Sequence, residues 1–116
     1  MIGNLKNLIM LNCSSRNLTY LPESICNLEN LTVLYCVCSK ITYLPKSIYK
    51  LKNLTELYCH HNEITKIPFS IIKLKYLKYV AYDNEKIKLT STVQKFFDNI
   101  KNNNTINNDI NNDINK

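Results

Sequence analysis

Residues 25–47, ICNLENLTVLYCVCSKITYLPKS, and residues 48–70, IYKLKNLTELYCHHNEITKIPFS, match at nearly every apolar position when one is laid on the other with a shift of 23. Carried outward at that period, the alignment takes in Ile2, Ile25, Ile48 and Ile71, then Leu5, Leu28, Leu51 and Leu74. Leu8, Leu31, Leu54 and Leu77 follow, and after them Leu11, Leu34, Leu57 and Val80. Later in each unit stand Cys13, Cys36, Cys59 and Tyr82, and then Leu18, Ile41, Ile64 and Ile87. The last column is Leu21, Leu44 and Ile67, each directly before a proline: Pro22, Pro45 or Pro68.

Inside a unit the apolar period changes. Leu11-x-Cys13, Leu34-x-Cys36 and Leu57-x-Cys59 alternate, as a strand buried on one face does. Ile25, Leu28 and Leu31 recur every third residue, the spacing of a tight helical turn. A proline cannot donate to a ladder, and Ser24, Ser47 and Ser70 stand where a hydroxyl could cap the turn that follows. Each unit therefore reads as strand, turn, short helical segment and return. One unit cannot bury its own apolar edge, so stacked units are expected to form an α/β solenoid with a parallel sheet and a continuous Leu/Ile core.

These units resemble leucine-rich repeats of the pattern LxxLxLxxNxLxxLP, close to the intracellular Ras-group type with its LPxxIxxLxxL ending. The resemblance covers residues 2 to about 90. It implies a curved solenoid, with the short parallel sheet on the concave face and short helical turns on the convex face, that binds proteins through the concave sheet. The family's asparagine, which hydrogen-bonds backbone within the coil, is matched only by Asn62. Its counterparts are Arg16, Ser39 and Glu85, and those coils are expected to be less rigid.

With 116 residues and 45% hydrophobic content, the chain has room for one core and no second domain of ordinary size. A single glycine means that turns must rely on Asn, Asp and Ser, which form local hydrogen bonds of their own. Asn, Ile, Lys and Tyr make up nearly half of the chain, which points to an AT-rich genome. The opening MIGNLKNLIMLNCSS has no leader pattern, and no apolar run approaches the length of a membrane helix, so a soluble cytoplasmic protein is expected. Five cysteines then read as reduced thiols, and the Asn-x-Ser/Thr triplets at Asn12, Asn17, Asn30 and Asn53 as chance products of an Asn-rich repeat.

The repeats are assigned to residues 1–91, about four of them. The first has no polar cap before Ile2, which leaves a parallel edge at Leu8 to Cys13. After Ile87 the pattern decays, and Val93, Phe96, Phe97 and Ile100 fall at helical spacing, so a capping helix is expected over 92–101. Residues 102–116, with isoleucines among asparagines, read as a disordered low-complexity tail, although Ile100, Ile106, Ile110 and Ile114 could extend a helix against a partner.

Residues between the buried strand positions should point to the concave face. Met10, Asn12 and Ser14 are in the first strand, Val33, Tyr35 and Val37 in the second, Glu56, Tyr58 and His60 in the third, and Tyr79, Ala81 and Asp83 in the fourth. Tyr35 and Tyr58, one repeat apart and with Tyr79 nearby, have the chemistry of an interface centre. Partner binding is therefore assigned to Val33, Tyr35, Val37, Glu56, Tyr58, His60, Tyr79 and Asp83. The competing account is that strands favour tyrosine and AT-rich codons supply it.

Cys36-x-Cys38 and Cys59-His60-His61 invite a zinc reading, but Cys13, Cys36 and Cys59 belong to a buried column. Only Cys38, His60 and His61 should be accessible, so no metal or cofactor is expected. A Cys38–His61 catalytic pair lacks an oxyanion donor and an acidic orienter, so no enzyme is expected. The net charge of +6 resides largely in lysines such as Lys46, Lys50, Lys52, Lys73 and Lys75 on the convex side, apart from the tyrosines. The expected partner is another protein, neither nucleic acid nor a membrane. The concave face of four strands offers only about 300 Å², against about 800 Å² per partner in a standard interface. Self-association through the bare first repeat is the alternative.

Overall fold

The computed structural model describes residues 6–101. Ile2 and Leu5, at the head of the first repeat, and the assigned tail 102–116 lie outside the described residues. Four three-residue strands, β1 (Met10–Asn12), β2 (Val33–Tyr35), β3 (Glu56–Tyr58) and β4 (Tyr79–Ala81), form one parallel sheet in the order β1-β2-β3-β4. The register advances by the sequence period, so that Leu11, Leu34, Leu57 and Val80 lie side by side. Between strands run three 3-10 turns, η1 (Glu23–Asn27), η2 (Lys46–Lys50) and η3 (Phe69–Lys73).

The every-third-residue spacing has a direct cause. In η1 the N–H of Ile25 donates to Pro22 O, that of Leu28 to Ile25 O, and that of Leu31 to Leu28 O. Pro45, Ile48, Leu51 and Leu54 repeat the chain of bonds, as do Pro68, Ile71, Leu74 and Leu77. An i to i+3 ladder eclipses those side chains, so all point to the core. Leu28, Leu31, Leu34, Ile41, Leu51, Leu54, Leu57, Ile64 and Leu74 are wholly buried, each contributing about 1.5–3 kcal/mol by leaving water.

The serines do not cap these turns. Each turn takes its proline as N-cap, with no side-chain cap bond. The serine falls one residue inside the turn, and in η2 and η3 it reaches the coil before it instead: Ser47 Oγ donates to Glu23 Oε2 (2.6 Å) and Ser70 Oγ to Lys46 O (2.7 Å). The Asn-x-Thr triplets at Asn30 and Asn53 are structural in the same sense. Asn30 and Asn53 Nδ2 donate to the carbonyls of Lys6 (2.8 Å) and Glu29 (2.9 Å), and Thr32 and Thr55 Oγ1 to those of Ile9 (3.2 Å) and Thr32 (3.0 Å). Recurrence of the triplet in register at Asn30 and Asn53 was the signal for this second polar ladder.

Asn62 is buried in the third coil, where its Nδ2 donates to the carbonyls of Cys36 (2.6 Å), Cys59 (3.1 Å) and His60 (3.3 Å) and its Oδ1 accepts from Ile41 N–H (3.1 Å). Ser39, the counterpart one coil earlier, is also buried but holds less: its Oγ accepts from Ser15 N–H (3.0 Å) and donates to Val37 O (3.4 Å). The thiols of the cysteine column are more than filler, since the Sγ of half-buried Cys13 and of buried Cys36 donate to the carbonyls of Tyr35 (3.4 Å) and Tyr58 (3.2 Å) in the next coil.

Residues 91–101 are helical (α1). Thr90 Oγ1 accepts from Val93 N–H (3.4 Å) at the start of α1. Val93 and Phe97 join the core, and the Phe97 ring lies 5.1 Å from Tyr82, the last member of the cysteine column. Among the described residues no helix is long and apolar enough to cross a membrane.

Candidate functional site

Strand alternation places the predicted row on the sheet face turned away from the core. Tyr35 and Tyr58 stand in register and stack, with centroids 4.6 Å apart and planes 13° from parallel. Tyr79 extends the row at 5.2 Å and 39° from Tyr58. Its own register partner on the third strand is Glu56, and Glu56 Oε1 accepts the Tyr58 hydroxyl at 2.6 Å. That hydrogen bond above all, with smaller contributions from desolvation and nearby charge, pushes the Tyr58 phenol up to about 12. The three rings thus form one contiguous row, in which the bond to Glu56 holds the Tyr58 hydroxyl.

The remaining predicted residues divide. Val33, between the longer Met10 and Glu56 in register, is only 7% exposed although it lies outside the core cluster. Val37 is half-buried, and its N–H donates to Ser14 Oγ (2.8 Å). His60 sits edge-on to Tyr58 at 6.5 Å, and its Nδ1 is buried without a hydrogen-bond partner among the described residues.

Asp83 has a structural task. Its Oδ1 accepts from His61 N–H (2.8 Å) and its Oδ2 from Asn62 N–H (3.0 Å). Burial pushes this carboxyl up, but the two N–H donors, aided by Lys86 and His61, outweigh it and hold the group below the usual carboxylate range. The turn it fastens contains His61 at φ 58°, and the equivalent turn one coil earlier has Cys38 at φ 58°. Glycine is absent from both left-handed positions, and neighbouring Ser, Asn and Asp side chains hold the turns. The fourth strand offers Ala81 where the second and third carry Tyr35 and Tyr58. That step opens a depression of about 880 Å³ walled by Tyr58, Tyr79, His60 and Asp83.

Cys38 is exposed, while Cys26, Cys36 and Cys59 are buried and Cys13 is half-buried. Burial pushes the thiols of Cys13 and Cys26 up to about 11 and that of Cys59 to about 12, and raises Cys36 further. The sheet ends at Tyr35 and Tyr58, so the C-x-C spacing does not place Cys36 and Cys38 on one strand face. Among the described residues no three His, Cys, Asp or Glu side chains gather as a metal-holding group.

The separation of aromatic from basic residues is incomplete. Tyr49 lies in η2 on the lysine side, with Lys73 Nζ 5.1 Å from its ring centroid, and Phe69 and Tyr76 are exposed near it in sequence register.

No family model matches the sequence, and no curated protein matches it. Among solved structures, a leucine-rich-repeat protein of Leptospira interrogans is similar at 36% identity and a TM-score of 0.70, over 77% of this chain. This chain spans only 22% of that protein's length. Together with the 23-residue period, the parallel register and the buried Asn62, this likeness makes the chain a leucine-rich-repeat protein.

Proposed function

We propose that the chain is a protein-binding module that meets its partner on the open sheet face and has no chemistry of its own. The observation that carries this reading is the contiguous Tyr35–Tyr58–Tyr79 row. Rings packed on one another have less freedom to lose on binding, and an aromatic row beside a depression has the anatomy of an interface centre. Tyr35, Tyr58 and Tyr79 supply contact area, Glu56, His60 and Val37 the margin, and Val33 the floor. Asp83 acts by holding the turn that carries His61. Five free cysteines suit a reducing compartment, and on that ground the cytoplasm is the proposed location.

The test is affinity capture with the intact chain and with Tyr35→Ala plus Tyr58→Ala. A partner retained by the first and lost by the second, with both proteins equally folded by circular dichroism, supports the reading. Equal retention sinks it.

The alternative, self-association through the first coil, is favoured by one observation. Leu8, Leu11, Cys13 and Leu18 are only partly buried, whereas Leu31, Leu34, Cys36 and Ile41 in the same columns are wholly buried. Sedimentation that changes with protein concentration, and is abolished by Met10→Lys, would favour this account.

A further inference from the structure

The turn side of the solenoid changes sign along its axis. Glu23 and Glu29 stand on the second coil, and the same columns on the next two coils carry Lys46 and Phe69, then Lys52 and Lys75. The column between them reads Asn27, Lys50 and Lys73. Residues 46–53 and 69–76 thus contain five lysines and no acid, all five exposed. Among these cations lie apolar rings. Phe69, which has no polar atom, is 59% exposed at the tip of η3 where the earlier coils place a charge, and Tyr76 is equally exposed beside Lys75. Tyr49 is exposed and has Lys73 over its ring.

We propose that this ridge, the turn side of the third and fourth coils, docks on an anionic lipid surface. The lysines would meet headgroups, Tyr49 and Tyr76 the headgroup level, and Phe69 the boundary of the acyl region. The mixture is the chemistry of an interfacial anchor: ammonium groups attracted to acidic lipid, amphipathic rings at the interface and one apolar side chain to enter it. Glu23, hydrogen-bonded to Ser47, and Glu29, beside Tyr49 and Lys50, border the ridge on the second-coil side. A single-stranded nucleic acid fits less well, because stacking bases needs open ring faces and Lys73 already lies over Tyr49. An acidic protein surface would satisfy the lysines and leave the bare Phe69 unexplained.

Flotation of the full chain with vesicles decides the matter. Vesicles of equimolar phosphatidylserine and phosphatidylcholine should carry the protein at low salt, and pure phosphatidylcholine should not. Lys50→Glu with Lys73→Glu should weaken binding at least about tenfold, since two attractive charges become repulsive. Phe69→Ser should lower the fraction that stays bound at high salt, and Tyr35→Ala should change nothing. Failure of the protein to float with the acidic vesicles, or undiminished binding by either ridge variant, overturns the proposal. So does an oligothymidylate that binds more tightly than the vesicles.

Discussion

At the scale of single residues, the polar side chains do the work that glycine and a full asparagine ladder would otherwise do. Asn62 satisfies buried backbone groups from two coils, and each would be orphaned by truncation at about 1–3 kcal/mol. Asn62→Ala should therefore cost at least about 3 kcal/mol by urea denaturation, a loss that outward Asn12→Ala should not show. Asp83 sets an acid limit on stability. Its folded-state pKa lies below the unfolded value, so its contribution is complete above the ordinary carboxylate pKa and is lost as pH falls through the folded value. Asp83→Asn should flatten that part of the curve of stability against pH. The thiols should separate under a maleimide reagent, because the thiolate is the reacting form and access governs its encounter. Cys38, exposed, should be modified first, ahead of Cys13 and far ahead of the buried Cys36 and Cys59. Mass mapping that found Cys36 first would contradict the placement of that column.

Within the repeating element, each coil has two kinds of strand residue that differ only by one step along the chain. Leu34 and Leu57 are wholly buried, and Tyr35 and Tyr58 lie on the opposite face. Leu34→Ala or Leu57→Ala should cost about 2–5 kcal/mol, the range for emptying a packed core site. Tyr35→Ala should lie within about 1 kcal/mol of wild type, since it removes mainly a surface ring contact. Urea melts of the three variants check the order, and its reversal would exchange the two faces and remove the proposed site. The alternation behind this prediction was legible in Leu-x-Cys alone. The role of Ser47 and Ser70 was not, because a serine at that spacing can serve a cap or a neighbouring coil. Only the position of the turn's first residue decides between them.

Across the molecule, stability should be graded. Neighbouring coils hold one another, and a coil with one neighbour depends on whatever covers its other side. On the far side of the fourth coil, α1 supplies Phe97, packed on Tyr82, together with Val93. In the first coil the core columns are only partly buried. Amide hydrogen exchange should be fastest in Leu8 to Cys13, slower in Leu31 to Cys36 and slowest in Leu54 to Cys59. Phe97→Ala should cost about 3–5 kcal/mol and should raise exchange in β4 before β3. Uniform protection in the first coil would instead show that its edge is covered, as in a self-associated form.

What the sequence by itself determined is what recurs at its own period. Leu34 above Leu57, the change from alternation to every-third spacing, and the isolated Asn62 are all visible in the letters, because hydrophobic burial acts at each position in the same way. The tertiary structure alone decided the contacts that run between coils at an offset. Ser47 meets Glu23 and Asn53 meets the carbonyl of Glu29, a residue further than the period, and Lys73 comes to rest over Tyr49. Asp83, placed in the expected binding row by the repeat, also anchors the His61 turn, a task that its column does not announce. Repetition fixes which residues share a column. Which neighbour a long polar side chain reaches depends on coil rise, backbone angle and rotamer, and no periodicity encodes those.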